Sequence, residues 1–430
     1  MKKVFFCLIT GSRSLEVDYN LNPNFYLEIS KKFKKFYMIN ISSCIYPNIK
    51  KKRLNKNFLK KIPKNIKLLN FNKYSDFKNY LYKRKNHDFV AFSAVGRTFK
   101  YFRIHRLLKK YNFKLFIVLN LGLIATTKHF HKLNSYQYFQ KKLNEFIERR
   151  LSYLFYRLFI LLNFFPKIEI LFEASRIYKK IYDNYPSRKL NKIFPKLNLS
   201  VYKSIHHINS RSYDEFFNKF NLSTEEEIVF LDSGFDHPDR PRRSEAATET
   251  ERKKYYSMLE SILSQLKMYF NKKIVVTVHP KTDVKIVKKY LKGFKLIKYK
   301  TRSHILKAFL VVFHESSSVL DAVFLKKNLI VLQSITMGKY FEFRNKIHPN
   351  ILGVPAYKME NFHKISKKDL IKDINKPKKK YIDYIKNYLV KDIRLYNLLN
   401  KKKEFEKNKN IILNQRGSSD VLEKINKTYF

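Results

Sequence analysis

The sequence predicts a two-domain α/β protein, and three observations lead there. Short apolar runs alternate with helical segments along the whole chain. Its 430 residues fill two or three domains at roughly 150 residues each. A polar stretch at Ile205–Thr224 interrupts the alternation, which then starts again. Hydrophobic residues make up 44% of the chain and aromatic residues 16%, enough to bury real cores.

Each element of the first half follows from a local pattern. Strands are expected at Lys3–Ile9, Phe36–Ile41, Lys67–Leu69, Phe89–Ser93, Lys114–Leu119 and Glu169–Phe172, short apolar or aromatic runs bounded by polar residues. Helices are expected at Asn24–Lys34, Ser75–Lys83, Thr98–Lys110 and Tyr136–Leu162. Lys2 and Lys3 before VFFCLIT imitate a short signal peptide. The apolar run is brief, however, no small-residue cleavage site follows, and Arg13, Glu16 and Asp18 come at once. A first strand followed by a loop fits better. The run Leu151–Phe165 (LSYLFYRLFILLNFF) carries Arg157 near its centre. It is too short and too charged to span a membrane, and reads as a buried or half-buried helix rather than an interfacial one.

The second half repeats the pattern. Strands are expected at Ile228–Asp232, Lys273–Val278, Phe294–Tyr299, Phe309–Phe313 and Leu329–Leu332. Helices fall at Glu251–Phe270, Asp283–Leu291, Ser303–Ala308 and Ser317–Leu325. Strands alternating with helices of this length make a parallel sheet with crossover connections. The expected organisation is a first domain over 1–204, a hinge over 205–224, a second domain over 225–365 and a basic helical tail over 366–430. The clusters Lys378–Lys380 and Lys401–Lys403 in that tail read as solvated helix faces.

Composition excludes several classes. The eight glycines, Gly11, Gly96, Gly122, Gly234, Gly293, Gly338, Gly353 and Gly417, are too scattered for G-x-G-x-x-G or a P-loop. A dinucleotide dehydrogenase, a protein kinase and a P-loop NTPase are thereby disfavoured. Cys7 and Cys44 are the only cysteines and fall in segments that read as buried strand or strand end. Two thiols make neither a disulfide scaffold nor a cysteine zinc site, and a reducing compartment fits.

Lys and Arg number 90 against 35 Asp and Glu, a formal charge of +55. Such an excess points to nucleic acid or to an anionic membrane leaflet. The accompanying richness in Lys, Asn, Ile, Phe and Tyr, with no Trp, is also what AT-rich coding produces, so part of the excess is read as solvated surface. Residues 225–260 run against the trend, with ten Asp and Glu to six Lys and Arg.

That acidic island holds the first of three polar constellations placed directly after second-half strands, where open parallel sheets bind ligands. Asp232-Ser233-Gly234-Phe235-Asp236-His237-Pro238-Asp239 could supply a base, hold hydroxyls or bind a metal, or could be an Asx-rich turn. The sequence contains no D-x-D pair, which lowers any metal reading. His279-Pro280-Lys281 places an imidazole and an ammonium where a phosphate oxygen could be met. His314-Glu315-Ser316-Ser317-Ser318 opens a helix, where serines either cap the backbone or, with the positive helix end, cradle a phosphate.

The HP pair and the serine cluster, 37 residues apart, resemble the HP and SS motifs of bacterial GT-B glycosyltransferases that use CMP-activated sugars, the sialyltransferases and Kdo transferases. CDP-glycerol polymerases of teichoic acid assembly carry a similar pair. The resembling segment is Tyr255–Leu332, including KKIVVTVHPKTD and LVVFHESSSVLDAVFLKKNLIVL. The resemblance implies a GT-B-like fold, two Rossmann-like domains with parallel sheets facing a central cleft, plus C-terminal helices. It implies that His279 helps the nucleotide leave, and that Ser316, Ser317 and Ser318, with Lys281, bind the donor phosphate. Asp18, in GSRSLEVDY with Glu16, is ranked ahead of Asp232, Asp236 and Asp239 as the base that deprotonates the acceptor. Asp232, Asp236, His237, Asp239, His314 and Glu315 are assigned to donor or acceptor binding.

The function so implied is sugar transfer from a nucleotide-activated donor, a CMP-sugar, to a bacterial surface polysaccharide or lipid-linked glycan, without metal or cofactor. The basic surface would hold a cytoplasmic enzyme against the anionic inner membrane, with no nucleic acid as partner. Transfer of a polyol phosphate from a CDP-glycerol-like donor and non-catalytic nucleic-acid binding are the alternatives.

Overall fold

A computed structural model describes residues 4–11, 15–21, 23–46, 56–119, 151–174, 201–217, 219, 222–235, 247–280, 282–338, 345, 347–376, 378–399, 401–414 and 416–429. These residues form two units. The first draws on Met1–Asn120, Leu133–Asp214 and Leu413–Phe430, and the second on Glu215–Ile412.

The first unit is a seven-stranded sheet of β1 (Val4–Thr10), β2 (Phe36–Asn40), β3 (Ile66–Asn70), β4 (Asp88–Ala94), β5 (Lys114–Leu119), β6 (Ile168–Glu173) and β7 (Tyr202–His207). Its order is β3-β2-β1-β4-β5-β6-β7, with every pairing parallel. Alternating side chains feed two cores, one on each face. One gathers Phe6, Leu8, Met38, Phe92, Phe116 and Phe172; the other gathers Phe5, Cys7, Ile9, Ile39, Phe89 and Leu115. That two-sided burial is why these strands read as nearly continuous apolar runs.

The second unit holds β8 (Glu227–Leu231), β9 (Lys273–Thr277), β10 (Lys295–Ile297), β11 (Ala308–Phe313), β12 (Asn328–Gln333) and β13 (Ala356–Lys358). Its order is β10-β9-β8-β11-β12-β13, again wholly parallel. Both sheets thus show the doubly wound pattern, reversing direction between β1 and β4 and between β8 and β11.

The longest described helix, Glu249–Phe270, shows why local sequence suffices there. Thr248 accepts from the Glu251 amide at 3.2 Å while the Glu251 carboxylate takes the Thr248 amide at 2.7 Å, a complete capping box. Tyr255, Tyr256, Leu259, Ile262, Leu263 and Leu266 form its buried stripe. Asn271 ends it in the left-handed region at φ 48°, which Asn tolerates better than most residues.

Several expectations are corrected. The segment after β1 is a helix, Leu15–Leu21, because Leu15 and Tyr19, one turn apart, both bury in the core below the sheet. Cys44 lies on the short helix Ser42–Ile45 rather than at a strand end, and its thiol donates to the Phe71 carbonyl at 3.4 Å. Strand β7 lies in part inside the stretch expected to be hinge, and β13 was not anticipated. Both are edge strands, one (YKSIHH) mostly polar and the other (AYK) only three residues long, so neither makes an apolar run. Of the expected helix Tyr136–Leu162, only Ser152–Leu161 and its flank are described.

That helix is half-buried. It buries Ser152, Tyr156 and Arg157 and leaves Leu154, Phe155, Leu158 and Leu161 exposed.

The final helix, Gly417–Tyr429, belongs to the first unit and is tied down there. Asp214 accepts from the Gly417 amide at 2.7 Å and the Ser418 amide at 2.9 Å, supplying an anion at the helix start. Val421, Leu422 and Ile425 complete the core face beneath. Gly417 is obligatory, since a Cβ there would sit 2.2 Å from the Asn209 carbonyl oxygen.

Candidate functional site

In the second unit, the sheet reverses between β8 and β11, so the loops leaving these strands and β9 share one end of it. The register aligns Leu231 with both Thr277 and Phe313. Asp232, Val278 and His314 therefore stand at the same level, one step beyond the strand ends.

The half-buried loops are braced across one another. Asp232 accepts from the Gly234 amide at 2.8 Å through Oδ1 and from the His279 amide at 3.0 Å through Oδ2. Gly234 sits at φ 72°, the conformation this tight turn demands. Ser233 Oγ accepts from the Glu315 amide at 3.0 Å. The acidic loop thus holds the backbone of both neighbouring loops, HP on one side and HESSS on the other. Downstream of His279, its carbonyl takes the Thr282 amide at 2.9 Å, and Asp283 caps the next helix through the Lys285 amide.

His279 is partly exposed at the end of β9 with its backbone clamped by a carboxylate. Ser317 is exposed, and Glu315, Ser316 and Ser318 are half-buried. Ser316 Oγ accepts from the Ser318 amide at 3.2 Å, and the helix proper begins only at Val319. The serines therefore form a turn that precedes a six-residue helix, shorter than the cradle expected. Lys281, Asp236, His237 and Asp239 lie outside the described residues.

Two assignments change. The Asp232 carboxylate braces backbone, which makes it a positioning group for His279. His314 is a core residue: fully buried, with Nδ1 at 2.6 Å from the Leu332 carbonyl oxygen and Nε2 at 2.9 Å from the Tyr255 hydroxyl. A carbonyl can only accept, so Nδ1 carries the proton and Nε2 receives the Tyr255 hydroxyl. Burial pushes the imidazole down to about 4 and keeps it neutral. Tyr255 is itself stacked on buried Phe235 at 4.1 Å between ring centroids. His314 therefore anchors the serine turn from below and cannot reach a ligand.

Sequence reasoning missed three contributors. Ser233 was passed over although it stands between two singled-out residues. Tyr255 carries no sequence signal, since its partner is 59 residues away. Glu360 accepts from Ser334 Oγ at 2.8 Å and from the Ile335 amide at 3.1 Å, shaping the loop after β12, where Ile335 is 76% exposed.

In the first unit, Asp18 is buried on the Leu15–Leu21 helix rather than in a loop. The sheet reversal between β1 and β4 is occupied by Tyr101. A Cβ on Gly96 would lie 2.4 Å from its ring, and a Cβ on Gly11 would lie 2.8 Å away. Another acid stands at the end of β6: Glu173 is fully buried, its Oε1 3.8 Å from Nδ1 of His207, its register partner on β7. Among the described residues, no three His, Cys, Asp or Glu side chains gather closely enough to hold a metal ion.

No protein-family model matches the chain, and no curated protein matches it in sequence. Similar solved structures include the wall teichoic acid polymerase TagF, at 13% identity over 94% of this chain and 90% of that one, TM-score 0.47. A putative UDP-N-acetylglucosamine 2-epimerase from Listeria monocytogenes is similar at 13% identity over 95% and 98%, TM-score 0.44. UGT2 of Phytolacca americana, complexed with UDP-2-fluoro-glucose and pterostilbene, is similar at 9% identity over 99% of both chains, TM-score 0.47.

Proposed function

We propose that the chain is a GT-B-type glycosyltransferase that moves a sugar from a CMP-activated donor to a bacterial surface polysaccharide or lipid-linked glycan. The observation that carries this reading is the bracing of the HP and serine loops by one acidic loop where the second sheet reverses. Asp232 and Ser233 bring the backbones of His279 and Glu315 to a common end of the sheet. There His279 and the serine turn meet the donor phosphate, and Lys281, two residues on in the sequence, is assigned to it as a cation. As the bond to the sugar breaks, negative charge builds on that phosphate, and fixed N–H, O–H and ammonium donors stabilise it at no reorganisation cost. The acceptor hydroxyl's proton goes to a carboxylate, for which Asp18 is the first candidate. The enzyme works in the cytoplasm as a peripheral protein on the anionic membrane face.

The test is a thermal-shift series with CMP, CDP, UMP, UDP, GDP, CDP-glycerol and a short DNA duplex at two salt concentrations. CMP at 100 times its Kd should add about 2.7 kcal/mol of stability, an effect lost in His279→Ala. With the true donor, His279→Ala should lose about 10²–10³ in kcat. Full turnover by that variant, or a salt-sensitive response to DNA alone, refutes the reading.

A further inference from the structure

The helix Ser152–Leu161 is apolar on both sides. Its fully buried positions are Ser152, Tyr156 and Arg157, and half-buried Phe159 and Ile160 pack inward with Tyr156, Phe165 and Val201. Ser152 Oγ accepts from the Phe99 amide at 3.4 Å, and Arg157 donates to the Tyr153 hydroxyl at 3.2 Å. The outward positions are Leu154, Phe155, Leu158 and Leu161, continued by Leu162 at 61% exposure and Phe164 at 52%. Exposed Phe99 extends this face, its ring centroid 5.8 Å from that of Phe155. Scattered exposed leucines need no explanation, but a whole helix face that turns its apolar side out has a partner.

The charge beside it says which. The helix Phe102–Lys110 packs alongside, through Phe102 against Phe159 and through Lys109 donating to Asn163 Oδ1. Arg106 falls between Phe102 and Lys109 on the same helical stripe. The segments that carry the apolar face bring only positive charge with them, Arg106, Lys109 and exposed Lys110 on one helix and Lys167 shortly after the other in sequence. Neither 96–119 nor 151–168 contains a single Asp or Glu. A second copy of the chain would bring like charge against these segments. An anionic lipid surface offers apolar chains to the leucines and phosphates to the basic residues.

We infer that the Ser152–Leu161 face of the first unit is a membrane-docking surface, lying in the interface of an anionic leaflet with Leu154, Phe155, Leu158, Leu161, Leu162 and Phe164 inserted. No described helix is long and apolar enough to cross a membrane, so the contact is one-sided. This surface is separate from the donor site and stands or falls apart from it.

The chain has no Trp, so Phe155→Trp installs a unique reporter on the face. Vesicles of phosphatidylcholine alone are compared with equimolar phosphatidylcholine and phosphatidylglycerol, at low and high salt. The expected result is a blue shift and quenching by brominated lipid on the anionic vesicles, with binding at least tenfold weaker on the neutral ones. Leu158→Glu with Leu161→Glu and Phe164→Glu should weaken anionic-vesicle binding at least tenfold, and Arg106→Gln with Lys110→Gln should reduce its salt dependence. His279→Ala should bind vesicles like the wild type whatever the fate of the donor reading. Vesicle binding with the reporter still in water overturns the inference. So does a dimer, seen by sedimentation, that the triple variant dissolves. If the triple variant does not fold, the reporter and the Arg106→Gln, Lys110→Gln variant decide.

Discussion

The buried imidazole of His314 makes the stability of the second unit acid-sensitive, and the size of the effect follows from its surroundings. Its pKa falls from the usual 6.5 to about 4, mainly because burial penalises the charged ring. The folded state therefore holds the proton less tightly than the unfolded chain does. The stability that depends on a neutral His314 is fully present above pH 6.5 and is lost as pH falls from 6.5 toward 4. At about 1.4 kcal/mol per pH unit, the whole effect is about 3 kcal/mol, with about 2 kcal/mol gone by pH 5. The perturbation to make is His314→Gln, which has no proton to gain. Urea unfolding of wild type and variant from pH 8 to 4.5, followed by hydrogen exchange of the amides in β8, β9 and β11, measures the difference. The wild type should be more stable at pH 8, with the gap closing by about 2 kcal/mol at pH 5. A gap that stays constant across this range refutes the assignment of His314 as a neutral core residue. His105, buried in the first unit with Nε2 at 2.8 Å from the Gly96 carbonyl oxygen and a pKa likewise near 4, should add a parallel loss in amides of β4 and β5.

Asp214 should behave with the opposite sign. Burial outweighs its hydrogen bonds to the final helix and pushes it up from 3.8 to about 6, so its contribution is greatest below pH 3.8 and declines as pH rises through 6. Relative to wild type, Asp214→Asn should accordingly look better at pH 8 than at pH 4 in the same urea titrations. Thr248→Ala breaks the capping box of the Glu249–Phe270 helix and should cost about 1 kcal/mol, read as a lower urea midpoint at unchanged slope. Asp232→Ala releases the His279 amide, so it should weaken CMP binding in calorimetry about as much as His279→Ala, and Asp232→Asn, whose one carbonyl oxygen can take only one of the two amides, should fall between that variant and wild type. Gly96→Ala drives a methyl into the Tyr101 ring and should destabilise the first unit, with Tyr101→Phe unable to rescue it and Tyr101→Ala able to do so in part.

The doubly wound design was legible because both sheets are buried on two faces. A strand such as Lys114–Leu119 or Ala308–Phe313 must then be apolar nearly throughout, and the run is visible without knowing its neighbours. The strands β7 and β13 escaped notice because one, YKSIHH, is mostly polar and the other, AYK, is only three residues long, so neither makes an apolar run. Among the site residues, position along the strands was readable, so His279 and the serine turn fall at the sheet end where they were sought. Roles were another matter. Asp232 and His314 have side chains of catalytic type, yet one grips backbone and the other is sealed in the core.

What the linear chain decides by itself is whatever depends on nearest neighbours and on pattern. It decides the α/β alternation, the capped helix after the acidic loop, the absence of a phosphate-binding glycine loop, and the excess of positive charge. What needed tertiary structure is whatever depends on which groups meet. Asp232 and His279 are 47 residues apart and meet because β8 and β9 pair in parallel, while Tyr255 and His314 are 59 apart and meet where the Glu249–Phe270 helix packs on the sheet. The Leu151–Phe165 run illustrates the division most clearly. Its composition is apolar in any reading, but the neighbours that pack against Ser152, Tyr156 and Arg157 determine which side faces in. Periodicity reports that a face exists, and only packing energy chooses where it points.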